Sequence, residues 1–155
     1  MTRSLLIATH NKKKLAEMAD ILSDLPLKML SPADFGDIPP PEETGDTFEE
    51  NACEKALAYA RATGLWSVAD DSGLEVACLG GRPGVRSSRW GGRAGDDARN
   101  REKLLAEVAR YRPEQWQARY VCVAALAAPE KILITTRGTC SGIITASGRG
   151  TWGFG

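Results

Sequence analysis

Ala69-Asp70-Asp71-Ser72-Gly73-Leu74-Glu75-Val76 sets two adjacent carboxylates behind a short apolar run, Leu65-Trp66-Ser67-Val68, that reads as a buried strand. The Asp-Ser-Gly step predicts that this strand breaks into a turn. Neighbours on a strand face opposite sides, so Asp70 and Asp71 are expected to do different jobs. One ties down the turn's backbone while the other projects into open space. Two readings fit the stretch. It is either an Asx-turn with both carboxylates bonded to nearby N–H groups, or a strand-end ligand for a hard divalent cation such as Mg²⁺.

Upstream, Thr47-Phe48-Glu49-Glu50 has the Ser/Thr-x-x-Glu spacing of a capping box. The helix it opens should run to about Thr63, with Gly64 at the C′ position. Phe48, Ala52, Ala56, Tyr59 and Ala60 form its core stripe, and Asn51 and Lys55 stack four apart beside that stripe. Lys55 can reach a ligand or simply snorkel to solvent. Glu42-Glu43-Thr44-Gly45-Asp46 clusters acid ahead of the helix, after an irregular, proline-rich crossing from Ser31 to Pro41.

Leu5-Leu6-Ile7-Ala8 suits a central strand covered on both sides. Thr9-His10-Asn11-Lys12-Lys13-Lys14 follows, and Leu15, Met18, Ile21 and Leu22 then repeat at helical spacing. Asn11 is the N-cap candidate. Three lysines in a first turn oppose the helix dipole, which makes sense if an anion docks there; a solvated basic face is the other reading. No Gly-x-x-x-x-Gly-Lys-Ser/Thr run exists, which excludes a P-loop.

Downstream, Leu74 to Leu79 reads as another strand, and Gly80-Gly81-Arg82-Pro83-Gly84-Val85 as a loop. Arg86-Ser87-Ser88-Arg89-Trp90-Gly91-Gly92 continues that loop with arginines and hydroxyls suited to phosphate oxygens. Asp96 or Asp97 caps a helix to roughly Tyr111 that turns Leu104, Leu105 and Val108 inward. Ala118 to Ala128, Lys131 to Gly138 and Thr139 to Thr145 are strand-like. This order gives a mixed α/β fold rather than strict βαβ alternation.

At 155 residues the chain fits one domain with a sizeable core. Twenty basic residues balance twenty acidic ones, which argues against a general nucleic-acid binder while allowing a local basic pocket. No signal-peptide core or membrane span is expected. Cys53, Cys78, Cys122 and Cys140 lack zinc-site or redox spacing and read as reduced, partly buried thiols of a cytoplasmic protein. With His10 as the single histidine, a His-based metal site or a Ser-His triad is not expected.

A cationic helix start, an acidic loop at Glu43 and carboxylates at Asp71 together fit a polyphosphate held by lysine and bridged by Mg²⁺. Cleaving a phosphoanhydride there is mainly positioning and charge neutralisation, with a carboxylate available to take the proton of an attacking water.

The residues also resemble a known family. Thr9-x-Asn11-x-x-Lys14, Glu43-Thr44-Gly45-x-Thr47-Phe48-x-Glu50-Asn51-Ala52-x-x-Lys55-Ala56, Ala69-Asp70-Asp71-Ser72-Gly73-Leu74, Gly81-x-Pro83-Gly84-Val85-x-Ser87-x-Arg89 and Gly153-Phe154-Gly155 are similar, in this order, to the inosine/xanthosine triphosphate pyrophosphatases. The resemblance implies a single domain over 1–155: an elongated mixed β-sheet flanked by helices, with two lobes and a central cleft. It implies hydrolysis of ITP, dITP and XTP to the monophosphate and pyrophosphate, Mg²⁺ as cofactor and a homodimer, with no nucleic-acid or membrane partner. Carried over by position, Thr9, His10, Asn11, Lys12, Lys13 and Lys14 would bind the triphosphate, and Lys55 would add a second cation. Glu43 and Asp71 would hold Mg²⁺, with Asp71 as proton acceptor. Ser72 would touch substrate, Arg89 would lie near the phosphates or brace the site, and Phe154, beside Gly155, would stack on the purine.

Family members continue past Gly-Phe-Gly with Tyr/Trp-Asp-Pro, a lysine and a Ser-His-Arg motif that reads the base. The chain is therefore expected to be truncated, with weakened discrimination of hypoxanthine from adenine. Trp152 stands where the family often has a small residue. Two alternatives compete: a Maf-type nucleotide pyrophosphatase, whose Ser-rich, two-arginine opening differs from Thr9-His10-Asn11, and a nucleotide-binding module without turnover.

Overall fold

The computed structural model describes residues 3–36 and 38–148. Strand β1 (Arg3–Ile7) leads through helix α1 (Lys12–Ile21) to β2 (Leu27–Leu30). Helix α2 (Phe48–Thr63) then delivers the chain to β3 (Trp66–Val76), and α3 (Asp97–Val108) to β4 (Gln117–Ala128) and β5 (Lys131–Ile143). The sheet order is β2-β1-β3-β4-β5. β1 is parallel to β2 and to β3, with Leu5 opposite Met29 on one side and Trp66 on the other. Parallel neighbours need long crossovers, which α1 and α2 provide. The two-residue link Pro129-Glu130 between β4 and β5 permits only an antiparallel hairpin, so the sheet is mixed.

By its contacts the chain divides into two compact units. One comprises residues 1–71 and 123–137, the other residues 72–122 and 138–155. In the first unit, Leu5, Leu6, Ile7 and Ala8 are buried, as a strand flanked on both sides requires. So are Phe48, Ala52, Ala56, Tyr59 and Ala60, the expected stripe of α2. Alanines recurring on that face let the helix backbone approach the apolar surface closely, while Phe48 and Tyr59 fill the space at either end. The second unit has its own core, in which Val76, Leu79 and Val108 pack against Leu74, Cys78, Leu104, Leu105, Trp116, Ala118 and Ile144.

Helix ends follow local chemistry. Asn11 caps α1, its Oδ1 accepting from the N–H groups of Lys13 and Lys14. Thr47 caps α2 in a complete capping box with Glu50, and Gly64 closes that helix in the left-handed conformation at φ 69°. Asp96, rather than Asp97, caps α3.

Four sequence expectations are corrected. The turn at Asp70-Asp71 does not form: β3 runs unbroken from Trp66 to Val76. The side chains of both aspartates bond to other elements, Asp70 to α1 and Asp71 to α2. The strand expected to reach Leu79 stops at Val76, followed by a 3-10 turn over Ala77–Leu79. Residues Gly84–Arg89, read as loop, form a 3-10 segment, and its Ser87 hydroxyl is occupied, donating to Gly84 O and accepting from the Leu74 N–H. The two strand-like runs after Lys131 are one strand, because Gly138 continues the extended backbone. In addition, α3 ends at Val108, and β2, a four-residue edge strand, had no clear sequence signal. Cys53 and Cys78 are half-buried, and Cys122 and Cys140 are exposed.

Because the Thr47 hydroxyl accepts the Glu50 N–H at 3.1 Å, Thr47→Ala is expected to lower stability by about 1 kcal/mol. The urea midpoint should fall while the m-value stays constant.

Candidate active site

Burial of charge organises the middle of β3. Asp70 and Asp71 are 8% and 7% exposed, and ionised carboxylates so placed must be paired or hydrogen-bonded. Alternation along the strand sends them to different partners. Asp70 Oδ2 accepts from Lys14 Nζ at 2.7 Å, joining the start of α1 to β3. Asp71 Oδ2 accepts from Asn51 Nδ2 at 3.0 Å, joining α2 to β3.

Lys55, one turn beyond Asn51, donates to the Asp70 carbonyl at 3.0 Å and forms an ion pair with Glu43 Oε1. The acidic loop is thereby brought to the same middle stretch of β3. Its backbone is held as well, since Gly45 N–H donates to Asn51 Oδ1 at 2.8 Å. Glu50 Oε2 accepts from the N–H groups of Asp46 and Thr47. Lys14, Glu43, Lys55 and Asp71 thus share one neighbourhood within the first unit, together with Asp70 and Asn51. Both ammonium groups are already matched to carboxylates there.

The remaining expected residues are placed as follows. Thr9 Oγ1 accepts the Asn11 N–H at 3.1 Å, which orients the cap of α1. Lys12 and Lys13 are exposed in the first turn of that helix. His10 is exposed, yet its Nε2 is hydrogen-bonded to Tyr59 Oη at 2.7 Å, a second link between the β1–α1 connection and α2. Ser72 and Arg89 belong to the second unit and are half-buried, Ser72 on β3 and Arg89 at the end of its 3-10 segment. Phe154 and Gly155 lie outside the described residues.

The partners of two residues here are not legible in the sequence. Asp70 and Asp71 are expected to divide a backbone-tethering and a projecting role, and it is Asp70 that pairs with Lys14. Asn51 was noted only for its register with Lys55, whereas it is wholly buried between an acidic loop and a carboxylate. A signal existed: an amide in the core register of an amphipathic helix must find partners.

The donors gathered here are hard oxygens. Among the described residues, no three His, Cys, Asp or Glu side chains converge as a metal cage. Mg²⁺ does not need one, since it is commonly held by one or two carboxylates, water and the phosphates of its substrate. The residues therefore fit a magnesium–polyphosphate complex better than an isolated metal centre. No helix among the described residues is long and apolar enough to cross a membrane.

A sequence model of the Ham1 family matches residues 5–155. The chain is 46% identical to a dITP/XTP pyrophosphatase of Haemophilus influenzae, with all of this chain and 80% of the relative aligned. It is 48% identical to a dITP/XTP pyrophosphatase of Geobacter sulfurreducens, with all of this chain and 77% of the relative aligned. The structure of a HAM1 protein from Coxiella burnetii superposes with a TM-score of 0.90 at 39% identity, covering 99% of this chain and 79% of that one.

Burial raises the Tyr59 hydroxyl above its ordinary value of 10.0. The folded state favours the neutral phenol, so its contribution is intact below the unfolded value and is lost as pH rises through the higher folded one. Tyr59→Phe is expected to flatten the alkaline fall in stability, measured by urea denaturation from about pH 9 to about pH 11.

Proposed function

This chain belongs to the Ham1 family, and from that premise we propose that it hydrolyses triphosphates of deaminated purines. The substrates are dITP, ITP and XTP, and the products are the nucleoside monophosphate and pyrophosphate, which clears these nucleotides from the precursor pool. The observation that carries the reading is the convergence of Lys14, Lys55, Glu43 and Asp71 at the middle of β3.

In this reading the triphosphate tail meets the start of α1, where Thr9 to Lys14 line its path. Lys14 and Lys55 exchange carboxylate partners for phosphate oxygens. Both ion pairs are partly solvent-accessible, with lysine side chains 22% and 18% exposed, so the exchange does not demand opening of the core. Glu43 and Asp71 would hold Mg²⁺, which would supply neutralisation of phosphate charge. Asp71 takes the proton of the attacking water. The new phosphorus–oxygen bond forms as the α–β phosphoanhydride breaks, and the leaving charge departs with pyrophosphate. Asn51 donates its amide to Asp71 Oδ2, a bond suited to the carboxylate form that this role needs.

Ser72 and Arg89 are proposed to contact substrate, and Phe154 and Gly155, outside the described residues, to meet the purine. We read the chain as one catalytic domain, with β3, β4 and β5 each running through both units. A cytoplasmic homodimer belongs to the same reading; exposed Trp66 and Ile134 are apolar groups suited to association.

A product assay on ITP, dITP and XTP with Mg²⁺ tests the proposal. Pyrophosphate and monophosphate are expected, with no orthophosphate, and Asp71→Asn should lower kcat by roughly 10²- to 10⁴-fold. Orthophosphate as product, or nucleotide binding without turnover that Asp71→Asn leaves unchanged, would refute it.

A further inference from the structure

We propose that Asn51 is the positioning residue that sets the two metal-binding carboxylates in register; the inference rests on the reading of Glu43 and Asp71 given above. Its carboxamide is 0% exposed and engages both sides of the site. Nδ2 donates to Asp71 Oδ2 at 3.0 Å, while Oδ1 accepts the Gly45 N–H at 2.8 Å, two residues from Glu43. The orientation of the amide is unambiguous. A carboxylate oxygen can only accept and a backbone N–H can only donate, so a flipped amide would lose both bonds.

No other side chain meets these demands at this length. Aspartate would set a second anion against Asp71, glutamine is one methylene too long for a packed site, and leucine would remove a hydrogen bond from both the Asp71 carboxylate and the Gly45 N–H. The loop side is equally constrained. A Cβ on Gly45 would lie 2.6 Å from Glu50 Cβ and 2.8 Å from Asn51 Oδ1, so the backbone approaches the first turn of α2 at a distance that excludes any side chain. Glu43 is in turn held by Lys55, one helical turn from Asn51 and donating to the neighbouring Asp70 carbonyl. A single turn of α2 therefore carries both rulers between the acidic loop and β3: Lys55 for the charge of Glu43, and Asn51 for the loop backbone and the rotation of the Asp71 carboxylate.

The consequence is specific. Metal affinity depends on how two oxygen ligands are aimed, and partners that aim them are typically worth about 10- to 100-fold. Phosphate recognition by Lys14, which Asn51 does not touch, is spared.

The test uses the full chain, with Mn²⁺ alone as probe followed by free-ion electron paramagnetic resonance, and with steady-state kinetics on dITP at saturating Mg²⁺. Asn51→Ala is expected to weaken Mn²⁺ binding about tenfold or more and to lower kcat, with KM for dITP within about threefold of the parent. Gly45→Ala, whose added Cβ would crowd Glu50 Cβ and Asn51 Oδ1, should reproduce the weakened Mn²⁺ binding and lowered kcat while still unfolding cooperatively. A role confined to stability would lower the unfolding temperature of Asn51→Ala and leave Mn²⁺ affinity and kcat alone, and would overturn the proposal. Glu43→Gln separates the two levels. If it leaves Mn²⁺ binding unchanged, the metal-site reading itself fails. If it weakens binding while Asn51→Ala and Gly45→Ala do not, only the positioning role fails.

Discussion

Two buried anions side by side on a central strand constrain everything around them. A carboxylate removed from water is tolerated only when its charge is met by a cation or by hydrogen-bond donors. Asp70 and Asp71 cannot share one partner, because the pleat sends them opposite ways. The strand must therefore be flanked by two different helices that each project a donor at the right height. Helix α1 supplies the Lys14 ammonium and α2 the Asn51 amide. Removing either donor would take a partner from a buried carboxylate, a larger perturbation than losing a surface pair.

That requirement explains features that look unfavourable one at a time. Lysines in the first turn of α1 stand against the helix dipole, and no acidic residue offsets them there. The local cost is met by the Asn11 cap and by the Asp70 charge at 2.7 Å from Lys14. Likewise, Asn51 lies in a helix face otherwise built from alanine and aromatic side chains, where an amide would be a liability without partners. Its two bonds turn it into a tie between elements distant in sequence. Local propensity yields to tertiary demand at the residues that later carry chemistry, a pattern expected of functional sites.

How much of this could be read in the sequence depended on how local the cause was. Both ends of α2 were legible, since the Thr47–Glu50 box and Gly64 act within one turn of themselves. So was the alanine stripe, whose period is intrinsic to the helix. The Asp70-Asp71 turn was misread because Asp-Ser-Gly is turn chemistry only while its side chains lack better partners; here Lys14 and Asn51 outbid the local N–H groups, and β3 continues. Strand β2 was missed because a short, half-buried edge strand shows little alternation. At the site, Lys14, Glu43, Lys55 and Asp71 were named from motif and residue chemistry and are gathered together. The wiring among them was not legible, because a contact such as Lys14 with Asp70, 56 positions apart, leaves no trace in spacing.

The pairing of Lys14 with Asp70 and of Lys55 with Glu43 bears on how any anion would arrive. A bare cluster of ammonium groups projects a long-range field that dissolved salt screens over a Debye length. Here the positive groups are neutralised at contact distance, and the whole chain carries no net charge. Encounter with an anion is thus governed by short-range exchange of ionic partners rather than by steering from afar. Raising the ionic strength should therefore slow capture only weakly, unlike the steep response of proteins that rely on an uncompensated basic surface.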